Sequence, residues 1–357
     1  MIHKVIYIVG PTASGKTDLA NKLSLYFNIP VISMDSMQIY KELNIGTSKP
    51  SNDELNEIEY YGIDLIEPDV HYSVKDYLNY VKNIIKKIDK KAAIISGGTG
   101  LYYDSLTSGF SSIPSQNMAI RQKYYKFCEE NGVERLYKLL ENVDPIYASK
   151  ISKNDTKRII RALEVYEITG KPFSSFHIDK DIKPINCPNL KFGIMVPRTR
   201  LYERVNIRVD KMFEFGLLNE AEKIYKKYKD KDLPSLKALG YSDLFEYFEG
   251  KISLDTAKEN IKKRTRNYAK RQYTWFKKDK NIKWLMLLNE DELNIAKNLK
   301  IDNLIQEKLK RKKNRSNFNN IEDELIDFIG SIKNFIFLNE ERTFHYLKDE
   351  ISNFLRD

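Results

Sequence analysis

Residues 10–17 read Gly-Pro-Thr-Ala-Ser-Gly-Lys-Thr and follow directly on the apolar run Val5–Val9. Apolar positions at helical spacing, Leu19, Ala20 and Leu23, continue the chain beyond the motif. A strand entering and a helix departing restrict the fold to an α/β sheet built around a phosphate-binding loop. Gly10 and Gly15 carry no Cβ, so successive backbone N–H groups can converge on phosphate oxygens. The helix adds its positive N-terminal end, Lys16 a mobile point charge, and Thr17 a hydroxyl suited to Mg²⁺. The eight residues Gly10, Pro11, Thr12, Ala13, Ser14, Gly15, Lys16 and Thr17 are therefore expected to hold a polyphosphate.

The 357 residues suffice for two ordinary domains, and 41% hydrophobic content supports real cores. No apolar run approaches the roughly 18 residues of a membrane span, and Met1–Lys4 lead into a strand and not a signal peptide. Cys128 and Cys187 are the only cysteines, which fits a reducing cytoplasm, and His3, His71, His177 and His345 lack ligand spacing. The net charge of +10 is uneven: residues 1–100 are about neutral, 318–357 carry −5, and 101–317 carry +16. Such an excess points to an anionic polymer as partner, or to a lysine-rich surface from a biased composition. Charge alone does not separate the two.

Short apolar runs at 5–9, 30–33, 92–96, 190–196 and 282–288 have the pattern of strands buried on both faces. Helical stretches separate them, as in a parallel sheet. The expected architecture is an α/β core of residues 1–111 and 187–312, interrupted by an all-helical insertion at 112–186. Lys308–Arg315 reads as a basic connector. Beyond it Leu325, Phe328, Ile329, Ile332, Phe335 and Ile336 recur at helical spacing, so 313–357 is expected to be a helical extension.

Asp35 closes the second run, where a carboxylate could hold Mg²⁺ through water, act as a general base, or cap a helix. The third run ends in Ser96-Gly97-Gly98-Thr99-Gly100. Glycines and a Thr stand there in place of the Asp that a phosphoryl-transfer enzyme often uses for its metal, which argues mildly against a kinase. Arg158 and Arg161 share one side of a helix whose Ile159, Ile160 and Leu163 can face a core. Lys262–Lys280 holds nine basic residues and one acid, and Arg264, Tyr268, Arg271, Trp275 and Lys278 follow helical spacing. Cations and rings on one face suit a nucleic-acid backbone and unstacked bases; packed aromatics behind a solvated lysine face are the alternative. Arg204 and Arg208 lie four apart on a further helix, where either could reach a pyrophosphate or form an ion pair.

Taken in order, Gly10–Thr17, Asp35–Tyr40 with Gly46-Thr47, Gly97–Tyr102, Arg158–Val165 with Thr169–Pro172, Leu239–Tyr241 and Thr265–Trp275 resemble the tRNA dimethylallyltransferase (tRNA isopentenyltransferase) family, from Val5 to about Trp284. The resemblance implies a P-loop kinase-like fold, Mg²⁺, and transfer of a dimethylallyl group from its diphosphate to N6 of the adenosine 3′ to the anticodon. It implies Asp35 as base at N6, and Lys16, Thr99 and Arg208 as stabilisers of the leaving diphosphate, with Arg204 in reserve. It also implies tRNA contacts from Asp35, Ser36, Met37, Gln38, Thr99, Arg121, Lys157, Arg158, Ile159, Ile160, Arg161, Lys237, Gly240, Tyr241 and Ser242. Lys270, Arg271, Gln272, Tyr273, Thr274, Trp275, Phe276 and Lys277 complete that set. Tyr60-Tyr61 replace an expected His pair, and Lys157 stands where Gln is frequent. The expected partners are the anticodon stem-loop of tRNA and dimethylallyl diphosphate, with no membrane and a monomeric protein. The main rival is an ATP-dependent P-loop kinase of a small molecule; a non-catalytic RNA-binding protein is the second.

Overall fold

The apolar run after His3 becomes the middle of a seven-stranded sheet in which every neighbour is parallel. The computed structural model describes residues 2–177, 181–228, 233, 235–301, 321, 324–325 and 334–356. In chain order it contains β1 (Lys4–Val9), α1 (Lys16–Phe27), β2 (Val31–Ser33), α2 (Asn52–Glu57), β3 (Tyr60–Tyr61), α3 (Val74–Lys87), β4 (Ala92–Gly97) and α4 (Gly100–Ser108). Then come α5 (Met118–Asn131), α6 (Val133–Val143), α7 (Pro145–Ala148), α8 (Thr156–Thr169), β5 (Asn189–Met195), α9 (Arg198–Glu214) and α10 (Leu217–Lys227). The remainder is α11 (Tyr241–Phe248), α12 (Leu254–Phe276), β6 (Lys283–Leu288), α13 (Glu290–Ile301), β7 (Phe335–Asn339) and α14 (Glu340–Arg356).

Contacts divide the chain into two units, Met1–Tyr103 with Cys187–Asp357, and Asp104–Asn186. In the first, strand order is β3-β2-β4-β1-β5-β6-β7. Ile6, Ile8, Phe192, Ile194, Leu285 and Leu287 are buried against Leu19 and Leu23 of α1, which is why these strands read as unbroken apolar runs. Registers Val9↔Gly97 and Ser33↔Ser96 bring the carboxyl ends of β1, β2 and β4 level. The loops that follow them therefore open on one edge of the sheet, where open α/β sheets hold ligands.

Phe335 and Ile336, expected on a helix, instead begin β7, which pairs with β6 from Trp284↔Phe335 to Leu288↔Asn339. A short apolar run carries strand and helix periodicity equally well, and here the unpaired backbone groups of β6 decide the matter. The segment after it is helical: Leu347 and Ile351 of α14 are fully buried in the core that holds Leu19, Ala20 and Leu23. Phe328, Ile329, Ile332, the connector Lys308–Arg315 and the boundary at 312–313 lie outside the described residues.

The second unit builds its own core from Leu136, Tyr137, Leu140, Ile159, Ile160, Leu163 and Val165. One isolated antiparallel bridge, Phe110↔Ile182, accompanies its helices. Glu164 is fully buried there and accepts from Asn117 N at 2.5 Å, Arg121 Nε at 3.2 Å and Arg161 Nη1 at 2.7 Å. A buried carboxylate needs this kind of paired and hydrogen-bonded surrounding.

Candidate active site

Gly15 occupies the left-handed region (φ 89°) and starts α1, so Lys16 and Thr17 stand in the first turn of a helix. Lys16 Nζ donates to Pro11 O at 3.2 Å. Burial lowers the Lys16 pKa to about 8; the Arg208 cation adds to the effect and Asp35 opposes it. Two cations and one carboxylate thus meet at the loop. Ser14 Oγ, also in the loop, is buried without a hydrogen-bond partner. A buried hydroxyl with no protein partner, beside a buried cation, is suited to an anion.

Asp35 follows β2 and its Oδ1 accepts the Met37 N–H at 2.8 Å, a turn that fixes the carboxylate at the strand end. Thr99 follows β4, and its Oγ1 accepts the Ser36 N–H at 3.0 Å. The β2 and β4 loops are thus tied through Thr99 and Ser36, next to Asp35. Gln38 turns inward: its Oε1 accepts from Ser33 Oγ at 2.7 Å, and its Nε2 donates to Thr47 O and Ser48 O at 3.2 and 3.0 Å. Arg208 of α9 reaches the phosphate-binding loop, with Nη1 donating to Thr12 Oγ1 at 3.3 Å and Nε to Ser48 Oγ at 2.9 Å. Burial lowers the Arg208 pKa, and the nearby carboxylates of Asp35 and Asp18 counter it. Arg204, one turn earlier, brings a guanidinium nitrogen to 4.0 Å from where a Cβ on Gly15 would stand. Both arginines therefore border the loop, at opposite ends.

The long helix α12 closes the third side. Gln272 is buried; its Oε1 accepts Thr12 N–H at 2.8 Å and its Nε2 donates to Gly98 O at 3.0 Å. A Cβ at Gly98 would collide with that amide, which accounts for the glycine. Tyr268 stands beside Thr99 and Gln272, and burial, seconded by Asp35, raises its pKa. Thr12, Asp35, Arg208, Tyr268 and Arg271 line one cavity of about 340 Å³ with the apolar Val209, Met212, Leu217 and Ile261. The lining combines cations, one carboxylate and apolar side chains, a composition open to a ligand with both charged and hydrocarbon parts.

A model of the family described as IPP transferase matches residues 38–279. The chain belongs to the IPP transferase family. A tRNA dimethylallyltransferase of Syntrophomonas wolfei is 41% identical over 303 residues, 84% of this chain and 96% of the relative. The full-length tRNA isopentenylpyrophosphate transferase of Bacillus halodurans is similar in structure over 87% of this chain and 98% of its own, with 34% identity and a TM-score of 0.58. A eukaryotic dimethylallyltransferase acting on tRNA is similar over 84% of this chain and 79% of its own, with 28% identity and a TM-score of 0.65.

Several side chains expected to meet tRNA are committed elsewhere. Ile159 and Ile160 are core residues of the second unit, as their place opposite Arg158 on α8 requires. Arg121 and Arg161 both bind the buried Glu164, and Arg161 also donates to Pro114 O at 2.6 Å, whereas Lys157 and Arg158 stay exposed. Tyr241 is fully buried with its hydroxyl on Glu220, while Ser242 accepts from Arg264 at 2.9 Å. Lys237 and Gly240 line the cavity.

The run Lys270–Lys277 does not act as one surface, because each residue turns about 100° from the last. Phe276 is buried against Tyr103, Gln272 is taken up internally, and Tyr273 meets Trp284 edge-on at 5.4 Å. Lys270 lines a small cavity with Tyr273, Lys277 lies over the Tyr273 ring, and Thr274 bonds back to Lys270 O. Arg271 and Trp275 remain on the Tyr268 side, with Lys278 over the Trp275 ring at 4.8 Å. Ser48, Tyr268 and the loop-bridging role of Gln272 had no sequence signal beyond helical spacing around Tyr268.

Proposed function

We propose that the chain transfers a dimethylallyl group from dimethylallyl diphosphate to N6 of the adenosine 3′-adjacent to the anticodon of tRNA, releasing diphosphate. The reading is carried by one observation: Asp35, Thr99 and Arg208 converge with the phosphate-binding loop beside a cavity with apolar side chains in its lining.

The diphosphate lies along the amides of Gly10–Thr17, with Lys16, Arg208 and Arg204 as counter-charges. Asp35 takes the proton from N6 as the amine attacks the allylic carbon; the carbon–oxygen bond breaks and the electron pair leaves with diphosphate. Thr99 and Arg208 steady the departing anion, whose stabilisation is the main electrostatic task of the site. Apolar walls keep water from the allylic carbon as positive charge develops on it. Mg²⁺ fits the donor present, since the Thr17 hydroxyl in the first turn of α1 is a hard oxygen. When bound, the ion neutralises charge on the leaving group. Among the described residues no cluster of three or more His, Cys, Asp or Glu could hold a metal ion.

For tRNA, Arg271, Trp275 and Lys237 of the first unit supply charge and a stacking ring, with the target base turned out of its stack. The second unit, taken by itself, offers the exposed cations Lys157 and Arg158 to a phosphate backbone. No helix among the described residues is long and apolar enough to cross a membrane. We place the enzyme in the cytoplasm with its tRNA, acting as a monomer. Incubation with unmodified tRNA, Mg²⁺ and radiolabelled dimethylallyl diphosphate is expected to label adenosine. No label, together with ATP consumption in the presence of a small metabolite, would establish the kinase reading instead.

A further inference from the structure

Glu220 on α10 lies outside every motif in the sequence, yet its carboxylate is among the most heavily bonded side-chain groups near the site. It accepts three consecutive backbone N–H groups: Asn44 at 3.1 Å, Ile45 at 2.9 and 3.0 Å to its two oxygens, and Gly46 at 3.1 Å. The Tyr241 hydroxyl donates to the same group at 2.6 Å. Consecutive amides turned toward one anion form a nest, and nests fix the backbone that makes them. Residues 44–48 belong to no helix or strand, so this carboxylate stands in for the secondary structure that would otherwise hold them. Gly46 also packs so closely on the Tyr241 ring that a Cβ would collide with it.

The two residues after the nest do their work in the site. Thr47 O and Ser48 O accept from Gln38, and Ser48 Oγ accepts Arg208 Nε at 2.9 Å. Among the described residues the guanidinium also donates to Thr12 Oγ1, at a longer 3.3 Å. The direction of Arg208 thus depends on where Ser48 sits, and Ser48 sits where the nest holds it.

We propose that Glu220 is a positioning residue for the diphosphate site, acting through Ser48 on Arg208. The inference rests on the reading of Arg208 as a diphosphate ligand. A carboxylate is needed because all four partners are donors; an amide in its place would turn its own NH₂ against a backbone N–H.

The test is made on the full chain with inorganic pyrophosphate as ligand, comparing wild type, Glu220→Gln, Ser48→Ala and the double variant. Hydrogen exchange at Asn44–Gly46 is expected to be slow in wild type and in Ser48→Ala, and fast in Glu220→Gln. Each single substitution should weaken pyrophosphate binding about tenfold, and the double variant little further, because both act on one path. Exposed nest amides with wild-type pyrophosphate affinity, or additive losses in the double variant, would overturn the proposal. If Glu220→Gln does not fold, Glu220→Asp, one methylene short but still charged, enters the same comparison. These readouts do not depend on transfer to tRNA. A protein that shows the coupling without prenylating tRNA would count against the proposed activity and leave Glu220 in its role.

Discussion

Gln272 accepts the Thr12 N–H at 2.8 Å across 260 positions of sequence, and the same side chain donates to Gly98 O at 3.0 Å. A neutral amide with one acceptor and one donor end is thereby the brace between the phosphate-binding loop and the glycine loop after β4. Replacing it with Ala strands the buried Gly98 carbonyl and the half-buried Thr12 N–H, at a cost of about 1–3 kcal/mol. Gln272→Ala is expected to melt earlier and to bind pyrophosphate more weakly, by thermal unfolding and calorimetry respectively. Unchanged pyrophosphate affinity would remove the brace from the account of binding.

Asp35 is expected to matter for turnover and not for docking. Asp35→Ala should lower single-turnover transfer by about 10²–10⁴-fold, the range for loss of a general base, with tRNA affinity close to wild type. A loss confined to tRNA binding would reassign Asp35 to recognition.

Lys16 gives the protein a pH signature. Its folded pKa is lowered to about 8, against about 10.4 for an unperturbed lysine. Between these values the unfolded chain holds more protons, so the Lys16 contribution makes stability rise with pH across that window. Below about 8 the ammonium is charged in both states and its burial cost is carried in full. Lys16→Met is therefore expected to raise the melting temperature of the ligand-free protein at pH 7, flatten the alkaline rise, and abolish pyrophosphate binding. Binding above pH 8 should take up a proton, visible as a buffer-dependent heat in calorimetry. A Lys16→Met protein no more stable than wild type at pH 7 would contradict the assignment.

The basic residues of the second unit should fall into two classes. Removing a partner from a buried ion pair costs about 3–5 kcal/mol, so Arg161→Ala and Arg121→Ala are expected to destabilise the unit that contains Glu164. Lys157→Ala and Arg158→Ala should leave unfolding unchanged while weakening tRNA binding and flattening its salt dependence. Denaturant unfolding beside salt-titrated tRNA binding separates the classes. Equal effects of all four on both measurements would erase the distinction.

Five runs of buried apolar residues were legible as β1, β2, β4, β5 and β6, because strands covered on both faces lose their alternation and stand out. β3 spans two residues and carries no pattern at all. β7 hid behind apolar spacing that a helix satisfies equally well. In the site, the glycine loop, Asp35 and Thr99 were legible because backbone placement fixes them at strand ends. Gln272 was visible only as one residue of a basic helix, since its two partners lie far away in sequence. Glu220 looked like any other surface glutamate. The helical spacing of Ile159 and Ile160 already pointed to a core; a residue-by-residue family assignment passes over that orientation, and burial restores it.

The seventh strand has a consequence for biogenesis. β6 has β5 on one side from the moment both exist, but among the described residues its other side is matched by Phe335–Asn339, which the ribosome adds after the whole of 289–334. Throughout that interval Trp284–Leu288 present an apolar strand with open hydrogen-bonding groups, a template for pairing with any other nascent chain. The late arrival of β7 thus sets a vulnerable period in synthesis. Chains halted before Phe335 should be clients of chaperones, whatever their phosphate-binding loop is able to hold.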